Sequence, residues 1–91
     1  MEKKWNVGIV GATGMVGQRL ITLLNDHPYF QITALMASAR SAGRSYEKSV
    51  EGRWKMQTPL PQNVAQMPVY DAQDLASWSD KVDFVFCAVN M

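Results

Sequence analysis

Trp5-Asn6-Val7-Gly8-Ile9-Val10 is a short apolar run rich in β-branched residues, and it stops at Gly11. Such a run predicts a strand buried on both faces of a parallel sheet. From Met15 the period changes. Met15, Val16, Leu20, Leu23 and Leu24 recur at helical spacing with Gln18 and Arg19 between them, until Asn25-Asp26-His27-Pro28 closes the helix. Phe30 to Ala37 alternates and then turns wholly apolar, as a second strand does. The opening of the chain therefore predicts strand, glycine turn, helix and strand, a βαβ unit.

The pattern weakens after that. Ser38 to Ser45 is a small-residue loop, Tyr46 to Val50 fits one helical turn, and Arg53 to Thr58 fits a short strand that Pro59 and Pro61 interrupt. Met67 to Tyr70 predicts another short strand, and Asp71 to Ser79 a helix with Leu75 and Trp78 on one face. Val82 to Val89 is strongly apolar and predicts a second strand of the doubly buried kind. The sum is an α/β fold, a Rossmann-like parallel sheet with flanking helices. A complete dinucleotide-binding fold has two mononucleotide halves and about six strands. The expectation is thus a sheet cut after about the fourth strand, with residues 1–91 forming the N-terminal part of a dinucleotide-binding domain.

Composition narrows the class. With 47% hydrophobic and 19% charged residues the chain is unlike a disordered tail. No apolar run approaches the ~18–20 residues of a membrane span, and the N-terminus lacks the ~7–15-residue apolar stretch of a secretory leader. The lone Cys87 allows no internal disulfide, and no Cys/His cluster has metal-ligand spacing. A cytoplasmic protein is expected, with neither membrane nor nucleic acid as partner. The net charge is +1, but residues 1–55 carry +4 and residues 56–91 carry −3. An anionic ligand is therefore sought in the first half.

Gly11-Ala12-Thr13-Gly14-Met15-Val16-Gly17 places three glycines at a spacing of three, after a predicted strand and opening a predicted helix. Gly11 lets the chain turn sharply, Gly14 lets backbone amides approach a pyrophosphate, and Gly17 lets the helix pack closely. The free amides and dipole of the helix N-terminus favour the negative charge. The end of the second strand then selects the nucleotide. An acid there holds the ribose 2′-hydroxyl of NAD, and an Arg accommodates the 2′-phosphate of NADP. No acid lies between Asp26 and Glu47, whereas Ser38, Arg40 and Ser41 follow the strand, with Arg44 close behind. Two hydroxyls and a guanidinium suit a phosphate dianion, so NADP is the expected cofactor. Ala88 and Val89, at the end of the last strand, are placed to line the crevice. Cys87 sits in an apolar strand with no neighbouring histidine and reads as a buried structural thiol. His27 reads as a capping or surface residue, and the three tryptophans as packing residues.

Three segments, Val7 to Gly17, Ala37 to Gly43 and Val85 to Val89, together resemble the N-terminal cofactor domain of aspartate-semialdehyde dehydrogenase. The Ala-Ser-x-Arg-Ser-Ala-Gly loop is the most specific piece, and the related N-acetyl-glutamyl-phosphate reductases lack it. The resemblance implies NADPH-dependent reduction of aspartyl-4-phosphate to the semialdehyde with release of phosphate, on the route to lysine, threonine and methionine. It further implies that Thr13, Gly14, Met15 and Val16 contact the pyrophosphate and that Ser38, Arg40 and Ser41 hold the 2′-phosphate. The family's cysteine nucleophile and histidine base lie in a later, catalytic domain, so no catalytic residue is assigned here. The parent enzyme is expected to be a homo-oligomer acting on a small-molecule substrate. Malonyl-CoA reductases, a short-chain-type reductase and a non-catalytic nucleotide-sensing module stand as alternatives. The short-chain reading lacks support, because Tyr46 and Lys48 do not form a Tyr-x-x-x-Lys pair.

Overall fold

A computed structural model describes residues 4–25 and 27–88. In chain order the elements are β1 (Trp5–Val10), α1 (Met15–Leu24), β2 (Phe30–Ala37), α2 (Tyr46–Ser49), α3 (Gln62–Ala65), β3 (Val69–Asp71), α4 (Leu75–Trp78), a 3₁₀ turn over Ser79–Lys81, and β4 (Phe84–Cys87). The four strands form one sheet in the order β3-β2-β1-β4, and every pairing is parallel. That order is the first part of the doubly wound arrangement, in which β1 lies beside the point where the strand order reverses.

Strand alternation divides the core between the two faces. Val7 and Ile9 of β1 and Leu35 and Ala37 of β2 pack with Ile21 and Leu24 of α1, Tyr46 of α2 and Val64 of α3. Ala34 and Met36 point the other way, onto Trp78 of α4. Gly8 makes room on this second face, since a Cβ there would stand 2.7 Å from the Met36 methyl. The pairing of β1 with β2 slips between Val7 and Gly8, whose partners are Ile32 and Ala34. Thr33 falls in the slip, and its hydroxyl donates to the Lys81 carbonyl at 2.6 Å.

Four expectations need correction. Helix α1 buries Gly17, Gln18, Ile21 and Leu24, while Met15, Val16 and Leu23 of the anticipated stripe are exposed. The stripe that counts is Gly17, Ile21 and Leu24, at spacings of four and three. Residues 53–58 form no strand. The Lys55 amide is taken by the Gln18 side chain at 2.9 Å, and Trp54 Nε1 donates to the Thr58 carbonyl at 2.9 Å, which folds the segment onto itself. The last helix begins at Leu75 rather than Asp71, because Asp71 ends β3 opposite Ala37 and its carboxylate accepts from the Gln73 amide at 3.0 Å. Finally, β4 is not doubly buried. It pairs with β1 at the edge of the described sheet, and Phe84 and Val85 keep 39% and 38% of their surface exposed.

Candidate functional site

The carboxyl ends of β1, β2 and β4 frame a cleft of about 480 Å³. The turn after β1 contributes Gly11, Thr13, Gly14, Met15 and Val16, the end of β2 contributes Ala37 and Ser38, and Ala88 closes the side beyond β4. Seven of the nine residues expected at the nucleotide, drawn from three separate segments, thus line one space. Arg40 and Ser41 are not among its lining residues. Arg40 is exposed, while Ser41 keeps only 8% of its surface exposed. Val89 lies outside the described residues. A neighbouring cleft of about 270 Å³ shares Gly11, Ala37 and Ser38 and extends to Asp71, Ala72 and Gln73 after β3.

Each glycine of the turn has its own cause. Gly11 adopts φ +80°, a left-handed conformation that any side chain would strain. Its amide and that of Ala12 both donate to the Met36 carbonyl, at 2.9 and 3.0 Å, which pins the turn to the end of β2. Gly17 is required by close approach. A Cβ there would meet the Gly11 carbonyl oxygen and lie 2.7 and 2.8 Å from Ala12 Cα and C. Gly14 differs from both. Its φ of −79° is open to any residue, and an added Cβ would stand 3.7 Å from the Gly11 carbonyl oxygen, an ordinary contact. Its freedom faces the cleft.

Gly14 also caps α1, without a side-chain cap, and the first turn of that helix holds no acidic residue. The first-turn amides of an α-helix have no intrahelical acceptor. The partial positive charge at this end of α1 is thus left uncompensated by a carboxylate of its own turn.

Two buried side chains that the sequence did not single out hold the turn from behind. Gln18, 1% exposed, donates from Nε2 to the carbonyls of Thr13 and Arg53, each at 3.0 Å, and accepts from the Lys55 amide through Oε1. Tyr46, fully buried, donates its hydroxyl to the Ala12 carbonyl at 2.7 Å. Burial pushes the Tyr46 phenol well above its ordinary range, so it stays a donor. The only sequence signal for Gln18 is its place beside Gly17 and three residues before Ile21, on the side of the helix that faces the core.

Over residues 6–91 the chain matches the family described as semialdehyde dehydrogenase, NAD binding domain. The chain belongs to that family. It is 50% identical over 84 residues to the aspartate-semialdehyde dehydrogenase of Schizosaccharomyces pombe, covering 92% of this chain and 22% of the relative. It is 44% identical over 84 residues to that of Methanothermobacter thermautotrophicus, covering 92% and 23%. A crystal structure of aspartate-semialdehyde dehydrogenase with NADP from Candida albicans superposes with a TM-score of 0.86 at 38% identity, covering 97% of this chain and 24% of that one. The chain therefore spans less than a quarter of the curated relatives described above.

Within this semialdehyde dehydrogenase domain the remaining candidates fall into place. Cys87, expected to be buried, is exposed at the end of β4, because the strand lies at the edge of the described sheet. His27 accepts from the Tyr29 amide through Nδ1 at 3.1 Å and packs against Tyr29 and Phe30, a local structural role. Trp78 is a core residue, and Trp54 packs edge-on against Tyr46. Among the described residues no group of His, Cys, Asp and Glu could hold a metal ion, and no helix is long and apolar enough to cross a membrane.

Proposed function

We propose that this chain is the NADP(H)-binding part of an aspartate-semialdehyde dehydrogenase. The parent enzyme would reduce aspartyl-4-phosphate to aspartate semialdehyde and release phosphate. The observation that carries the reading is the convergence of the glycine turn, the end of β2 and Ala88 on one cleft at the carboxyl edge of the sheet. In open α/β sheets that edge is where ligands bind.

The residues fit the dinucleotide. Thr13, Met15 and Val16 offer backbone amides at a helix N-terminus to the pyrophosphate, and Gly11 shapes the turn. Gly14, whose own amide donates to the Gly11 carbonyl at 3.2 Å, offers an approach clear of any side chain. Ser38 and Arg40 lie on the loop that would take the 2′-phosphate, and Ser41 supports that loop by closing a turn on Ser38, its amide donating to the Ser38 carbonyl at 2.9 Å. Ala88 forms a wall of the cleft. The dinucleotide, when bound, supplies the hydride. The chain's own contribution is to bind and orient it. The nucleophile and base of the reaction, the small-molecule substrate site and the homo-oligomer contacts belong, in this reading, to the rest of the parent enzyme. Calorimetric titration of the chain with NADP and NAD tests the reading. Saturable binding with preference for NADP supports it, and heat of dilution alone for both cofactors overturns it.

A further inference from the structure

The short helix α2 is tied to both loops of the proposed nucleotide site. Its first residue, Tyr46, donates to the Ala12 carbonyl in the glycine turn at 2.7 Å. Its last, Ser49, donates its hydroxyl to the Ser41 carbonyl at 3.0 Å, and that bond is buried. Ser41 in turn closes on Ser38 through its amide, so the exposed Arg40 stands in a turn whose far end Ser49 holds. The helix is itself fixed. The Tyr46 amide donates to the Met67 carbonyl at 2.8 Å, the Ser45 hydroxyl caps the helix by accepting from the Lys48 amide, and Arg53 Nη2 donates to the Ser49 carbonyl at 2.8 Å.

The peptide plane gives these bonds direction. A trans peptide sets its N–H opposite its C=O. Drawing the Ala12 carbonyl toward the buried Tyr46 hydroxyl therefore turns the Thr13 amide away from the core, and Thr13 lines the cleft. Tyr46 thus governs a donor that any dinucleotide pyrophosphate would meet, and Ser49 governs the posture of the loop that would meet only a 2′-phosphate.

We infer that Tyr46 and Ser49 are positioning residues with separate duties, Tyr46 for dinucleotide affinity in general and Ser49 for NADP over NAD. The inference rests on the nucleotide-binding reading above. Loss of one hydrogen bond of this type corresponds to roughly a 3- to 10-fold change in binding. In the full chain, Ser49→Ala is expected to weaken NADP by about that factor with NAD unmoved, and Ser49→Thr, which keeps the hydroxyl, to restore it. Tyr46→Phe is expected to weaken NADP and NAD alike, leaving their ratio unchanged.

The NADP-to-NAD affinity ratio, read by calorimetry with circular dichroism melts on each variant, is the deciding quantity. General loosening of the fold would lower both affinities together and leave that ratio where it is, so Tyr46→Phe is read against Val64→Ala, a core truncation outside the cleft. Val64→Ala is expected to lower the melting temperature at wild-type affinity, and equal affinity losses in the two variants at equal melting temperature overturn the role of Tyr46. Should Ser49→Ala fail to fold, Ser49→Cys keeps the volume with a weaker donor and is expected to lower the ratio in the same sense. An unchanged ratio in a folded Ser49 variant, or a changed one in Tyr46→Phe, overturns the division of duties. Wild-type protein that binds neither cofactor overturns the nucleotide reading itself, and the positioning roles with it.

Discussion

Gly14 and Gly17 stand three residues apart in one turn, and the structure gives them opposite consequences when replaced. At Gly17 a methyl group would press on the backbone of Gly11 and Ala12, with Ala12 Cα at 2.7 Å and its carbonyl carbon at 2.8 Å. Backbone cannot swing aside as a flexible side chain can. Overpacking of a tight site costs about 1–3 kcal/mol, and this site belongs at the upper end. Replacing glycine by alanine inside a helix returns at most ~1 kcal/mol. The net is a loss of about 2 kcal/mol, which for a domain of this size lowers Tm by roughly 10 °C. At Gly14, Val meets an allowed φ of −79° and open space. Exchanging glycine for an apolar N-cap residue costs about 1 kcal/mol or less, and the smaller unfolded ensemble offsets part of it. Gly14→Val should thus melt within about 5 °C of wild type. Its branched side chain, however, would occupy the mouth of the cleft where the pyrophosphate is proposed to lie, and NADP affinity should fall at least ~10-fold. Thermal melts and calorimetry on the two variants decide the matter. Gly17→Ala melting within about 2 °C of wild type would show that the turn yields more readily than its contacts imply. Wild-type NADP affinity in Gly14→Val would show that the open side of the turn is not where the phosphates go.

Four further outcomes are expected. Arg40→Ala should weaken NADP about 10- to 100-fold and leave NAD unmoved, since charge-assisted bonds to the 2′-phosphate are lost; a selective loss in Arg44→Ala instead would move the role there. Gln18→Leu should cost about 3 kcal/mol, read as a lower urea midpoint, because the Thr13 and Arg53 carbonyls lose their donor; an unchanged midpoint would mean that water replaces the amide. Because burial raises the Tyr46 pKa, its contribution is complete below about pH 10, where the unfolded phenol ionises, and is lost as pH climbs beyond. Tyr46→Phe should accordingly lose less stability than wild type between neutral and strongly alkaline pH, and equal losses in alkaline urea melts would contradict this. The chain alone should not reduce NADP with aspartate semialdehyde and phosphate, and turnover abolished by Cys87→Ser would relocate the nucleophile to this domain.

The first 37 residues were legible because their signals are local. Gly11 needs its left-handed turn, Gly17 its close contact, and β1 and β2 announce themselves by composition. The glycine turn and Ser38 were read as parts of one site, and the sheet brings them to one cleft. What the sequence concealed depends on distance. Tyr46 meets Ala12 across 34 positions, and Gln18 meets Lys55 across 37, so neither residue type nor periodicity marks them. A glutamine between Val16 and Leu20, beside Arg19, reads as solvent-facing until the carbonyls that need it are known. Helix α3 has only four residues, too short to establish a period. The exposed face of β4 was misread for a related reason, since apolar content reports what a strand prefers and not where it sits in the sheet.

The strand order also gives the strand pairings unequal loop-closure costs. Gln31 reaches Asn6 across 25 positions, whereas Asp83 reaches the Asn6 amide across 77. Closing the longer loop costs about 1 kcal/mol more in chain entropy than closing the shorter. Pairing of β1 with β2 is thus expected to form first, and with it the bonds from the amides of Gly11 and Ala12 to the Met36 carbonyl. The glycine turn can thus take its shape, with Tyr46 and Lys55 closing on it, from residues that all precede β4 in the chain. Ala88, the wall of the cleft, follows the strand whose pairing spans the greatest sequence separation among the described strands, so the cleft is expected to close after the turn has formed.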